Sequence, residues 1–257
     1  MQSPDAPPVP PDLQELAAFT IKCVILFCTL QFSLSTLKIP QTQINCLVSL
    51  FHHVTICAYS FLKNFQFMIL LQSSFQSVSL PCDTSLFSTH QIYYSGIFTI
   101  VYLAYDTIFD LFRNPSKNKL LIFHHFNGVF LVSYALLAHY GQYMVYICHV
   151  MEVSSIFLSM KDLLKYYGAS EGIRLTNDLF FAASFLVVRI YVTLASVLMI
   201  TGMYNQGCLT AESVTFLDGL IIYTTGLYVV LTTFWSYGIV KKVYGVLTGS
   251  KRKAKVK

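Results

Sequence analysis

Seven mostly apolar stretches, each about 18–26 residues long, recur along this 257-residue chain and leave few folds open to it. They cover 17–37, 45–62, 91–112, 119–140, 143–160, 178–201 and 214–239. A helix that crosses a bilayer needs about 20 such residues. Charged residues make up 11% of the chain, against about 25% in a soluble domain. Lipid offers no partner for backbone N–H and C=O groups, so spanning segments must satisfy them internally. The expected fold is therefore all-α, a polytopic membrane helix bundle of about seven transmembrane helices. Segment 66–80 is apolar but short and broken by Gln72, Ser73, Ser74 and Gln76, and reads as an interfacial or re-entrant piece. Residues 1–16 are Pro-rich and acidic with no basic leader pattern, and read as a disordered tail. The transmembrane domain then covers 17–240, and a basic tail covers 241–257.

Basic residues set an orientation, because Lys and Arg collect in cytoplasmic loops. With an odd number of spans the termini lie on opposite sides. A cytosolic C-terminus places Lys38, Arg113, Lys117, Lys119, Lys161, Lys165, Arg174, Lys241, Lys242, Lys251, Arg252, Lys253, Lys255 and Lys257 on the cytosolic face. Those are 14 of the 17 basic residues; Lys63 alone falls opposite, and Lys22 and Arg189 fall within spans. The expected N-terminus is lumenal. Lys255 and Lys253 stand third and fifth from the end, the dilysine spacing of retrieval to the endoplasmic reticulum; a basic tail that anchors on anionic lipid is the other reading. The expected location is a multi-pass protein of that membrane, with the plasma membrane as the lesser alternative. Cys82 and Cys208 fall in lumenal loops where oxidation is permitted, which makes a disulfide between them a hypothesis.

Ionisable side chains inside spans are costly and raise a functional hypothesis by default. At about 1.5 Å per helical residue, His52 and His53 lie roughly 11 Å from the cytosolic end of the second span. By the same rise, Asp106 lies about 10 Å from the end of the third span, and His124 and His125 about 8–9 Å inside the fourth. Three spans so bring ionisable groups to one level. Glu152 and Arg189 stand deeper, at about 13 and 16 Å, and opposite charges at matching depth suggest a buried pair. His149 shares a helix face with Glu152, and Tyr102 and Asp110 share one with Asp106. Consecutive helical residues point about 100° apart, so one histidine of each doublet is expected to face inward. Plain structural hydrogen bonding is the competing account of each of these residues. Bare doublets supply too few ligands for a di-iron centre, and no Cys or His pattern has zinc-site spacing, so no metal is expected. Asp-Arg-Tyr and Asn-Pro-x-x-Tyr receptor elements and a Gly-rich phosphate loop are absent from the sequence.

Five ordered elements carry a resemblance: LVSLFHHVTICA, YLAYDTIFD, HHFNGVFLVSYAL, MEVSSIFLSMKDLL and NDLFFAASFLVVRI. In order and spacing, over about 45–240, they resemble the TLC-domain family of ceramide synthases, translocating-chain-associated proteins and the ceroid-lipofuscinosis-type factor. The likeness is strongest to the small TLC-domain-only proteins, although the usual Pro is missing from Glu152-Val153-Ser154-Ser155-Ile156-Phe157. The ceramide-synthase signature is kept at His124-His125 and Ser133-Tyr134 and departs at His149-Val150-Met151-Glu152.

The resemblance implies a role in lipid homeostasis. His52, His53, Tyr102, His149, Glu152 and Arg189 would line a lipid-binding pocket in the cytosolic half of the bundle. The alternative it implies is a ceramide-synthase-like N-acyltransferase, with His124 and His125 as acid/base and Asp106 as the orienting carboxylate. Acyl-CoA would then be a co-substrate, and no cofactor is expected. The expected partner is membrane lipid, sphingolipid or phospholipid, with no nucleic acid; homo-oligomerisation is left open.

Overall fold

The computed structural model describes residues 11–77, 89–113, 119–137, 142–205 and 216–248. They form seven helices and, among the described residues, no strand: α1 (Leu13–Ser35), α2 (Gln41–Ser77), α3 (Thr89–Arg113), α4 (Lys119–Leu137), α5 (Gln142–Tyr166), α6 (Glu171–Asn205) and α7 (Phe216–Leu247). Each matches one expected span. Four of them (α1, α3, α4 and α6) are long and apolar enough across their described residues to cross a membrane. Histidines and a glutamate lower the apolarity of α2 and α5.

Three boundaries differ from the sequence expectation. α1 begins inside the expected tail, because Asp12 caps it and accepts a hydrogen bond from the Glu15 N–H at 2.7 Å. Residues 66–77 are no separate re-entrant piece but a continuation of α2, which has neither Gly nor Pro between Gln41 and Ser77 to end it. α7 runs on through Lys241 and Lys242 to Leu247, so those lysines extend the helix instead of opening the tail. Cys82 and Cys208, like the Lys253 and Lys255 tail, lie outside the described residues.

Contacts give the bundle its directions. α3 and α4 run antiparallel: a Cβ on Gly96 would meet Leu136 at 2.9 Å, and one on Gly128 would meet Leu103 at 3.0 Å. In lipid, helices associate mainly by packing, and small residues let backbones approach. α2 and α5 are antiparallel through Cys57–His149 and His53–Glu152. α5 and α6 form a hairpin closed at Gly168, whose φ of +68° suits a residue without Cβ. Asn177 donates to the Phe157 carbonyl (2.9 Å) across that hairpin, and Lys161 pairs with Asp178 (3.2 Å). α1 runs parallel to α3, from Glu15–Tyr94 at one end to Gln31–Tyr105 at the other.

α5 is the hub, packed against α2, α3, α4 and α6. Two buried clusters flank it. One joins α1, α2 and α3 around Phe27, Val48, Ile56 and Phe98. The other joins α3–α7 around Leu131, Val132, Tyr146 and Val192. Outward positions such as Phe32, Val187, Val230 and Phe234 are exposed and apolar, as a lipid-facing surface requires.

Candidate functional site

The polar residues read from the sequence meet where α2, α3, α4 and α5 pack together. His53 Nδ1 lies 2.8 Å from Glu152 Oε2, linking α2 to α5. His125 Nδ1 lies 3.6 Å from Asp106 Oδ2, linking α4 to α3. The second distance is an electrostatic contact beyond hydrogen-bond length. All four side chains are buried or nearly so, with 8–18% of each exposed. Tyr102 packs against the first pair. It stacks on His52 at 3.8 Å and meets His53 edge-on at 5.5 Å, and Asp106 stands one turn further along α3. His149, one turn before Glu152, contacts Thr99 Oγ1 through Nε2 at 3.1 Å.

Both histidines of the first doublet face inward, against the expectation of one. His52 is 0% and His53 7% exposed. The reason is that α2 is covered on several sides, by Phe27 of α1, by Phe98 and Tyr102 of α3, and by α5. In the second doublet His125 is buried towards Asp106. His124 is half-buried and turns to α7, its ring 5.2 Å from Trp235 and 6.3 Å from Tyr228.

The expected Glu152–Arg189 pair is not formed. Glu152 takes His53 as its partner, while Arg189 donates to the Tyr228 hydroxyl and contacts Met151 Sδ at 3.5 Å. Its guanidinium also lies over the Phe185 ring (5.0 Å) and the Tyr228 ring (5.5 Å). Matching depth could not reveal that the two residues leave their helices in different directions. The Asp110 side chain lies outside the described residues.

Some ring nitrogens keep unused capacity. His52 Nε2, His124 Nδ1 and His125 Nδ1 are buried with no hydrogen-bond partner among the described residues. Buried polar atoms are normally satisfied, so His52 Nε2 and His124 Nδ1 mark places where a polar ligand group gains bonds without displacing protein ones, whereas His125 Nδ1 already faces Asp106. No three His, Cys, Asp or Glu side chains among the described residues are arranged to hold a metal ion.

Several contributors carried no legible signal. Phe27 and Gln31 of α1 close the site from one side; Phe27 packs on Phe98, Tyr102, Tyr105 and His52, and Gln31 accepts from Tyr105. Thr99, Met151, Phe185 and Tyr228 are ordinary residues of apolar runs. Trp235, the one Trp of the chain, was the only such residue that composition could have singled out.

Apolar helices wrapped around buried acid–base pairs define a multi-pass membrane protein. The sequence profile of the TLC domain, shared by the TRAM, LAG1 and CLN8 proteins, matches residues 43–241. The chain belongs to this family. α1 precedes the matched segment yet supplies part of the wall around His52. No curated protein is significantly similar to the chain.

Proposed function

We propose that this protein binds a membrane lipid and thereby regulates lipid composition, with the α2–α5 cluster holding the headgroup and the apolar bundle carrying the tails. The carrying observation is the convergence of His52, His53, Glu152, Asp106 and His125 from four helices, with His52 Nε2 left without a hydrogen-bond partner among the described residues. Carboxylates and imidazoles together suit a headgroup with amine and hydroxyl functions, as in sphingolipids and some phospholipids. Such a ligand shifts the bundle only by as much as it prefers one conformation over another. In this reading the basic face is cytosolic, the N-terminus lumenal, and the endoplasmic reticulum the resident membrane.

One observation favours a second reading, an N-acyltransferase resembling ceramide synthase. His125 stands beside Asp106 as a base oriented by a carboxylate would. It would take the proton of a long-chain amine as that amine attacks an acyl-CoA thioester, so that the amide C–N bond forms, the C–S bond breaks and the departing CoA thiolate receives the proton; imidazole suits such work near neutral pH.

Purified protein given sphinganine and a fatty acyl-CoA separates the two. We expect no turnover, and a copurified lipid that disappears in a folded His53→Ala/His125→Ala variant. Amide product made by the wild type and lost in His125→Ala would establish the transferase instead.

A further inference from the structure

Arg189 poses a separate electrostatic problem. It is 6% exposed, about midway along α6, and its contacts are all neutral: the Tyr228 hydroxyl, the Met151 thioether and the rings of Phe185 and Tyr228. Its Nε has no acceptor among the described residues. Glu152, the carboxylate of the facing helix, is committed to His53 and forms no ion pair with it. A guanidinium stays charged under all ordinary conditions. Buried without a carboxylate in direct contact it is costly, and arginines inside membrane bundles are found paired or on ligand paths.

The surroundings supply further unused polar atoms. His124 Nδ1 is buried with no hydrogen-bond partner among the described residues, and its ring lies beside Tyr228. Thr225 Oγ1, one turn before Tyr228 on α7, is also buried and has no hydrogen-bond partner among the described residues. The cluster is graded in depth: Arg189 and Tyr228 are buried, whereas His124 and Trp235 are half-buried between α4 and α7. Exposed Phe123 on α4, with Val230 and Phe234 on α7, makes the adjoining surface apolar. An anion reaching this place along that seam would arrive on a hydrocarbon chain.

We propose that Arg189, His124 and Thr225 form a seat for the single negative charge of a lipid oxyanion, a carboxylate or a phosphodiester, whose hydrocarbon leaves the bundle between α4 and α7. The planar guanidinium fork matches either group. This deepens the lipid-binding reading, on which it rests, by naming the charge class of the ligand.

The test uses the full chain, purified in an uncharged detergent and stripped of lipid. Its thermal unfolding midpoint is measured with oleate, with dioleoyl phosphatidylglycerol, and with the neutral oleyl alcohol and dioleoylglycerol. A ligand that binds only the folded state raises the midpoint. We expect a rise of several degrees with one or both anions, and none with the neutral lipids. A response to oleate alone assigns a carboxylate; a response to phosphatidylglycerol alone assigns a phosphodiester. Arg189→Gln should lose the shift while its ligand-free midpoint equals or exceeds that of the wild type, since a buried charge with no carboxylate in direct contact has been removed. Arg189→Lys, which keeps charge but not the fork, should retain less than half the shift and serves if the Gln variant does not fold. Equal shifts from neutral and anionic lipid, or an undiminished shift in either variant, would overturn the oxyanion seat. Lipid copurification from the unstripped wild type separates the failures: bound lipid without anion preference removes only the seat, and no bound lipid removes the lipid-binding reading with it.

Discussion

Removing either partner of His53–Glu152 should expose how strongly the pair ties α2 to α5. The two atoms are 2.8 Å apart, and 9% and 18% of the side chains are exposed. Breaking a buried pair by deleting one partner typically costs about 3–5 kcal/mol, because the other is left without compensation. Glu152→Ala and His53→Ala should each fall in or just below that range, as Glu152 is not fully enclosed. Glu152→Gln keeps an acceptor and should cost less than Glu152→Ala. The double variant decides the matter, since residues in direct contact show coupling of about 0.5–3 kcal/mol. A neutral interhelical hydrogen bond in a membrane protein averages only about 0.6 kcal/mol. We therefore expect a coupling energy above about 1.5 kcal/mol, measured by reversible unfolding of all four proteins in mixed micelles with increasing sodium dodecyl sulfate. Additive single-variant effects, with coupling at or below about 0.6 kcal/mol, would refute the charge-assisted pairing and the reading of the cluster as an interlocked unit.

Gly96→Val should destabilise the bundle by about 1–3 kcal/mol by overpacking against Leu136, read in the same unfolding titration. Gly219→Val, at a position with open space around it, should lose less. Phe27→Ala should cost about 3–5 kcal/mol, because Phe27 is 1% exposed among Phe98, Tyr102, Tyr105 and His52. It should also raise the rate of hydrogen–deuterium exchange in α2 around His52; unchanged exchange would show that α1 is not part of the wall. Glycosylation reporters should be modified at the N-terminus and not after Lys257, and Lys253→Ser/Lys255→Ser should move the protein out of the endoplasmic reticulum in fluorescence imaging. Modification of the C-terminal reporter would reverse the orientation.

Helical character and membrane residence were settled by local chemistry, since long apolar runs admit no other way to satisfy a backbone in lipid. The seven helices of the described residues, and the possibility that His52, His53, Asp106 and His125 meet, followed from span positions and a fixed helical rise. The family resemblance was legible for a related reason: its elements are short and ordered along the chain. Partner choice was not. Depth alone matched Glu152 with Arg189, but pairing depends on the direction of each side chain around its helix axis, and that angle is set by which neighbours enclose the helix. The close approach of α3 to α4 at Gly96 and Gly128, the covering of α2 on several sides, and the arrival of Phe27 and Tyr228 from distant parts of the chain decided it. Only tertiary packing gave Glu152 to His53 and left Arg189 among neutral neighbours, because electrostatic partnership falls off over a few ångströms while sequence spacing locates a residue along one axis only.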